Sequence, residues 1–140
     1  MKYFHPYELV DSFTYQKMGD QCLELFDPDA LQALDDLREY FGVPVVVNDW
    51  HDGGHLEWRG WRTLKKAAEF GAPKSQHAAG RAFDCDIAGI PADQARQRIM
   101  GDKDNILLSK ITRLESGVSW VHFDLKKLEP GLKRICVFKA

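Results

Sequence analysis

Three residues of the 140-residue chain have the types and placement of metal ligands: His77, Asp84 and His122. His77 closes a loop and Gly80 lets the chain turn sharply into a stretch that alternates. Between 82 and 87, Phe83, Cys85 and Ile87 are apolar while Asp84 and Asp86 are acidic. Period two sets both carboxylates on one face of a strand and the apolar side chains on the other. A turn leading into such a strand can bring an imidazole and a carboxylate together. Between 120 and 125, Val121, Phe123 and Leu125 alternate with Trp120, His122 and Asp124, so His122 projects from the polar face of a second strand. Zinc accepts imidazole nitrogen and carboxylate oxygen at about 2.0–2.2 Å, and two histidines with one carboxylate leave a fourth position open, the layout of a catalytic zinc site. A plainer reading stands beside it, with His77 capping a turn and Asp84 and Asp86 on a solvated strand face. On spacing alone both readings stay open.

The elements that must position these residues can be read from local signals. His5 to Val10, with Pro6 near the start, predicts a short helix. Asp27-Pro28 is an N-cap followed by Pro at the first helical position; Leu31, Leu34, Leu37 and Phe41 recur at helical spacing, and Gly42 ends a helix over 28–41. The β-branched run 43–47 predicts a short buried strand, and 48–60 a loop rich in Trp, His, Asp and Gly. A helix follows over 61–70, with Leu64, Ala67 and Ala68 inward and Gly71 after its end. Another helix covers 91–100, and further strands cover 111–115 and 134–138. Helices and strands do not alternate strictly, which predicts an α+β domain over 1–140 with a small, mainly antiparallel sheet and flanking helices.

Composition narrows the function. Apolar residues make up 44% and charged residues 29%, the balance of a folded globular protein rather than a disordered one. A net charge of −2 lacks the basic excess of a general nucleic-acid binder. No run of 18 apolar residues exists, so no membrane insertion is expected. The opening MKYFHPYELVDSF has no apolar core of a secretory signal, which predicts a cytoplasmic location at synthesis. Cys22, Cys85 and Cys136 are odd in number and dispersed, as reduced thiols would be.

The run Ser75-Gln76-His77-Ala78-Ala79-Gly80-Arg81-Ala82-Phe83-Asp84 resembles the S-x-H-x-x-G-x-A-x-D motif of the zinc D-Ala-D-Ala carboxypeptidase and L-Ala-D-Glu endopeptidase family, whose members cleave peptidoglycan stem peptides and include many phage endolysins. Upstream, Arg59-Gly60-Trp61-Arg62-Thr63 resembles the family's S-G-Y-R-S segment; downstream, Trp120-Val121-His122-Phe123-Asp124 resembles its W-V-H-x-D ending. The three motifs stand in the family's order, and the opening Lys2-Tyr3-Phe4 with Glu8-Leu9-Val10 resembles phage-type members. The resemblance implies a Hedgehog/DD-peptidase-like α+β fold and Zn2+ held by His77, Asp84 and His122. It implies that Arg62 engages the substrate and steadies charge at the scissile carbonyl, and that Ser75 and Gln76 line the substrate side. A surface ion pair in a first helical turn is the other reading of Arg62, but arginine is a poor partner for the helix dipole there. The implied partner is a peptidoglycan peptide. The chain would act as a monomer, as a compact phage or prophage lysin or alternatively as a tail-associated or recycling enzyme.

The general base departs from the pattern. Many members carry an acid three residues before the last histidine, where this chain has Ser119. Glu115 is the nearest substitute, folded back by a Ser116-Gly117 loop; its plainer reading is a strand end paired with Arg113 or a lysine. Asp124 is the other candidate, either as base or as a group that orients a ligand, and it counts with Arg62, Ser75 and Gln76 among residues on the substrate side. Ser119 also favours an alternative function, a non-catalytic zinc-containing binding module on the same fold. Trp50, His51, His55 and Trp58 form either a substrate wall or a cover for the core edge, and Gly53-Gly54 argues against His51 and His55 as a helical ligand pair.

Overall fold

The two alternating segments form the centre of a five-stranded sheet. The computed structural model describes all 140 residues. Its strands are β1 (Val45–Val46), β2 (Ala82–Ile87), β3 (Arg113–Glu115), β4 (Val121–Asp124) and β5 (Cys136–Phe138), in the order β1-β2-β4-β3-β5. All pairs are antiparallel except β3 with β5, which is parallel. The helices are α1 (Ser12–Met18), α2 (Pro28–Phe41), α3 (Leu64–Glu69) and α4 (Ala92–Gly101). The fold is therefore α+β with a mostly antiparallel sheet. No helix is long and apolar enough to cross a membrane.

One cluster of 24 buried apolar residues joins sheet and helices. The apolar face of β2 and β4 supplies Phe83, Cys85, Ile87, Val121 and Phe123, and α2 supplies Ala30, Ala33, Leu34, Leu37 and Phe41. Truncating one such side chain, Leu34 for instance, costs about 2–5 kcal/mol in a core of this kind. The start of α2 also anchors the loop 75–81. Asp27 caps the helix through Asp29 N–H, its own N–H donates to Gly80 O at 3.0 Å, and its carboxylate accepts from Arg81 Nη1 at 2.7 Å. Gly80 has φ +70°, and a Cβ there would lie 2.2 Å from Leu25 O, so only glycine lets the loop 75–81 lie against the residues before α2.

Several elements differ from expectation. The helix expected over 61–70 begins only at Leu64, after the Thr63 N-cap, because Trp61 N–H donates to Leu9 O and Arg62 is drawn toward β2. Leu64 is then 73% exposed and Ala68 is exposed, leaving Ala67 as the inward residue. The strand expected over 43–47 is a two-residue edge strand, with Val45 inward and Val46 exposed. Residues 5–10 form only a 3₁₀ turn at Pro6–Glu8. Helix α1, capped by Asp11 accepting from Thr14 N–H, had no counterpart in the periodicity. All three cysteines are free, and Cys22 and Cys85 are fully buried.

Candidate metal centre

His77, Asp84 and His122 converge: one ligand atom from each lies within 4.8 Å of the other two, and all three side chains are buried. Strand register does most of this. Asp84 on β2 is directly opposite His122 on β4, and cross-strand partners on one face hold their Cβ atoms about 4.5–5.5 Å apart. Asp84 Oδ1 lies 2.7 Å from His122 Nδ1 and 3.3 Å from His77 Nε2.

Each imidazole is oriented by an acceptor on its far side. His77 Nδ1–H donates to Gly60 O at 2.8 Å, which fixes the tautomer and turns the Nε2 lone pair toward Asp84. Gly60 makes this contact feasible, since a Cβ there would lie 2.0 Å from Leu9 O. His77 N–H in turn donates to Ser75 Oγ at 3.0 Å. His122 Nε2–H donates to Asp124 Oδ2 at 2.8 Å, leaving Nδ1 to face Asp84.

The charges explain the titration. Asp84, Glu115 and Asp124 are matched by only two guanidiniums, Arg62 and Arg113, so the cluster is one positive charge short. Without a metal ion, His122 supplies that charge: burial acts to lower its pKa, but Asp124 and Asp84 prevail and raise it to about 9. For Asp84, burial acts upward and is outweighed by His77 and His122, so its carboxyl lies well below the usual range. Asp124 follows the same pattern, with His122 and Arg113 overcoming burial to bring it to about 2. A bound divalent cation would more than cover that deficit of one charge, with His122 then neutral. Two buried imidazole nitrogens and a carboxylate oxygen are a donor set that fits zinc.

The centre lies in a cleft of about 900 Å³, whose lining includes Trp58, Arg62, Phe70, Ser75, Gln76 and Glu115. Arg62 precedes α3 rather than occupying its first turn, so it is not a helix-surface ion pair. Its Nε donates to Trp58 O at 2.7 Å, its Nη2 lies 3.1 Å from Asp84 Oδ2, and Phe70 covers the guanidinium at 4.8 Å. Burial pushes its pKa down against Asp84 and Glu115, yet an arginine so placed remains a cation.

Glu115 Oε2 lies 3.8 Å from His122 Nδ1, with its side chain 14% exposed. No loop folds it back. It ends β3, and the register Arg113↔Asp124, Leu114↔Phe123 carried one residue further sets it level with His122. It pairs with neither Arg113 nor a lysine, because Arg113 is engaged by Asp124. Ser119 is exposed and does not line the cleft.

Asp124 lines the cleft together with Arg113 and His122. It is 0% exposed, and its oxygens accept from Arg113 Nε and Nη2, Lys126 N–H and His122 Nε2. Both of its oxygens are engaged by these four donors, one of them the His122 ring. The Trp and His loop divides: His55 and Trp58 line the cleft, whereas Trp50 donates to Val10 O and His51 packs on Tyr7.

Three contributors escaped the sequence reading. The Gly60 carbonyl lies in a motif already noted, but its role depends on a contact with Leu9. Arg113 sits one strand alternation from Glu115. Phe138 stands edge-on to His122 at 5.6 Å, through a parallel β3–β5 pairing that no local signal announces.

No curated protein and no solved structure shows a significant match to the chain. The family model for Peptidase M15 matches residues 2–124, a span that holds Arg62, the converging His77, Asp84 and His122, and Glu115. With most of its length matched, the chain belongs to the Peptidase M15 family.

Proposed function

We propose that the chain is a zinc peptidase that hydrolyses peptidoglycan stem peptides at the D-Ala-D-Ala or the L-Ala-D-Glu bond, acting as a monomeric single domain and serving as a phage or prophage lysin. The observation that carries the reading is the convergence of His77 Nε2, Asp84 Oδ1 and His122 Nδ1 in a cleft that also contains Glu115. These three residues would hold the zinc, which supplies Lewis acidity to the scissile carbonyl and to water.

The chain's own residues do the rest. Glu115 takes the proton of the attacking water on its carboxylate and returns it to the leaving amine. Its ionised form is required first and its protonated form second, so one group serves both half-steps. Arg62 sets a fixed positive charge beside the site where negative charge builds on the carbonyl oxygen. Ser75 and Gln76 border the bound peptide on the His77 side. Gly60 O and Asp124 hold the two imidazoles, so little reorganisation accompanies the reaction.

The test is a digest of purified peptidoglycan with and without a chelator, read by mass spectrometry of the released peptides. Products that vanish with chelator and return with zinc support the reading, and their masses name the bond. Ser119 at the position of the usual acid favours a second reading, a zinc-containing binding module without activity. A folded, zinc-loaded sample that releases nothing from several wall chemotypes would decide for that module.

A further inference from the structure

We infer that Arg113 is a positioning residue for the metal centre, acting on His122 through Asp124. The inference rests on the reading that His77, Asp84 and His122 hold zinc.

Arg113 touches none of the three ligands through an ion pair or hydrogen bond, and it is removed from them by one residue. Its guanidinium grips Asp124 as a fork, Nε on Oδ1 at 2.9 Å and Nη2 on Oδ2 at 2.7 Å. Oδ2 is the oxygen that also accepts from His122 Nε2 at 2.8 Å. The fork thus fixes the plane of the carboxylate that aims the ring, and a bidentate pair fixes direction as well as distance. Phe138 lies under the guanidinium at 3.9 Å and edge-on to His122 at 5.6 Å, so one ring from β5 holds both ends of the relay.

The burial of Asp124 makes the fork necessary. Asp124 is 0% exposed beneath the guanidinium, and without Arg113 the carboxylate would keep only His122 and Lys126 N–H among its protein donors. A buried carboxylate stripped of its cation is strongly disfavoured and rotates or shifts to recover a partner. His122 would then lose the aim of its Nδ1 toward Asp84. Register ties this to the site: Arg113 is opposite Asp124 on the strand pair that sets Glu115 level with His122. A single short strand therefore carries the proposed base and the group that orients a ligand.

The experiment measures the zinc affinity of the full chain by competition with a chromophoric chelator, alongside the melting temperature of the metal-free protein. Arg113→Gln is expected to weaken zinc binding about 10–100-fold, the usual effect of losing a group that orients a ligand. Arg113→Lys, which keeps the charge but not the fork, recovers part of the loss. Asp124→Asn weakens binding similarly, and the double variant binds no more weakly than Asp124→Asn, because both changes break one relay. Leu114→Val, buried in the same strand and pointing to the core, lowers the melting temperature but leaves affinity within about twofold. The inference is overturned if Arg113→Gln binds zinc as the parent does while only its stability falls, or if the two single losses multiply in the double variant. If Arg113→Gln does not fold, Arg113→Lys with parental affinity overturns it equally. A parent chain that binds no zinc contradicts the zinc site itself, a separate result.

Discussion

Asp84 and His122 face each other across the β2–β4 pair, with Asp84 Oδ1 2.7 Å from His122 Nδ1. Neither residue reaches for the other; the register of two central strands delivers both to one face. The third residue of the cluster, His77, comes from a loop tied to the start of α2 through Asp27, Gly80 and Arg81. The cluster is thus set by strand register and a tethered loop, with acceptors behind both imidazoles, an arrangement that would keep the three side chains in place for a metal ion.

Glu115→Gln keeps the shape of the side chain and removes its basicity. Zinc binding should persist, while turnover on peptidoglycan peptides falls by about 10²–10⁴-fold, the usual share of a general acid–base group. A variant with parental turnover would remove Glu115 from the mechanism.

Arg62→Ala should lower turnover about 10²–10³-fold, as loss of a charge-stabilising donor does. Arg62→Lys should recover little, since a lysine cannot satisfy both Trp58 O and Asp84 from one position. Steady-state rates on a defined stem peptide check both, and parental rates in Arg62→Ala would deny it a role at the reacting carbonyl.

Gly60→Ala would place a methyl group 2.0 Å from Leu9 O, a backbone atom that cannot step aside. Unfolding in denaturant should show a loss of about 1–3 kcal/mol or more. Zinc affinity should fall as well, since the carbonyl that aims His77 must move. Parental stability together with parental affinity would contradict the account of His77.

In the metal-free protein His122 has a pKa of about 9 against an ordinary 6.5. A group raised on folding stabilises fully below its unfolded pKa and loses that contribution as pH rises through the folded value. The melting temperature of chelator-stripped protein should therefore drop between about pH 6.5 and 9. Zinc-loaded protein should drop less, because a His122 that held the ion would carry no second proton to lose. A stripped protein whose melting temperature climbs across that window would contradict the charge balance of the cluster.

What the sequence made legible depended on how local the cause was. Asp27, Pro28 and Gly42 bound α2 at the residues expected, because capping and helix termination act within one turn. Phe83, Cys85, Val121 and Phe123 alternate with their polar neighbours, so β2 and β4 could be read with their ligands on one side. Leu64 misled, because helical spacing over 61–70 gave no sign that Trp61 and Arg62 are held by Leu9, Trp58 and Asp84. At the site, His77, Asp84 and His122 stood in motifs, and the structure brings them together. The position of Asp124 behind His122 and its grip by Arg113 depend on β3–β4 register, which residue types alone do not fix.

The most direct measurement is the zinc content of the purified parent chain and of His122→Ala, with peptidoglycan hydrolysis assayed on the same samples. About one tightly held zinc per parent chain is expected, with released peptides, and loss of both in a folded His122→Ala variant. A folded parent chain that holds no zinc, or a zinc-free variant that still hydrolyses the wall peptide, would contradict that expectation.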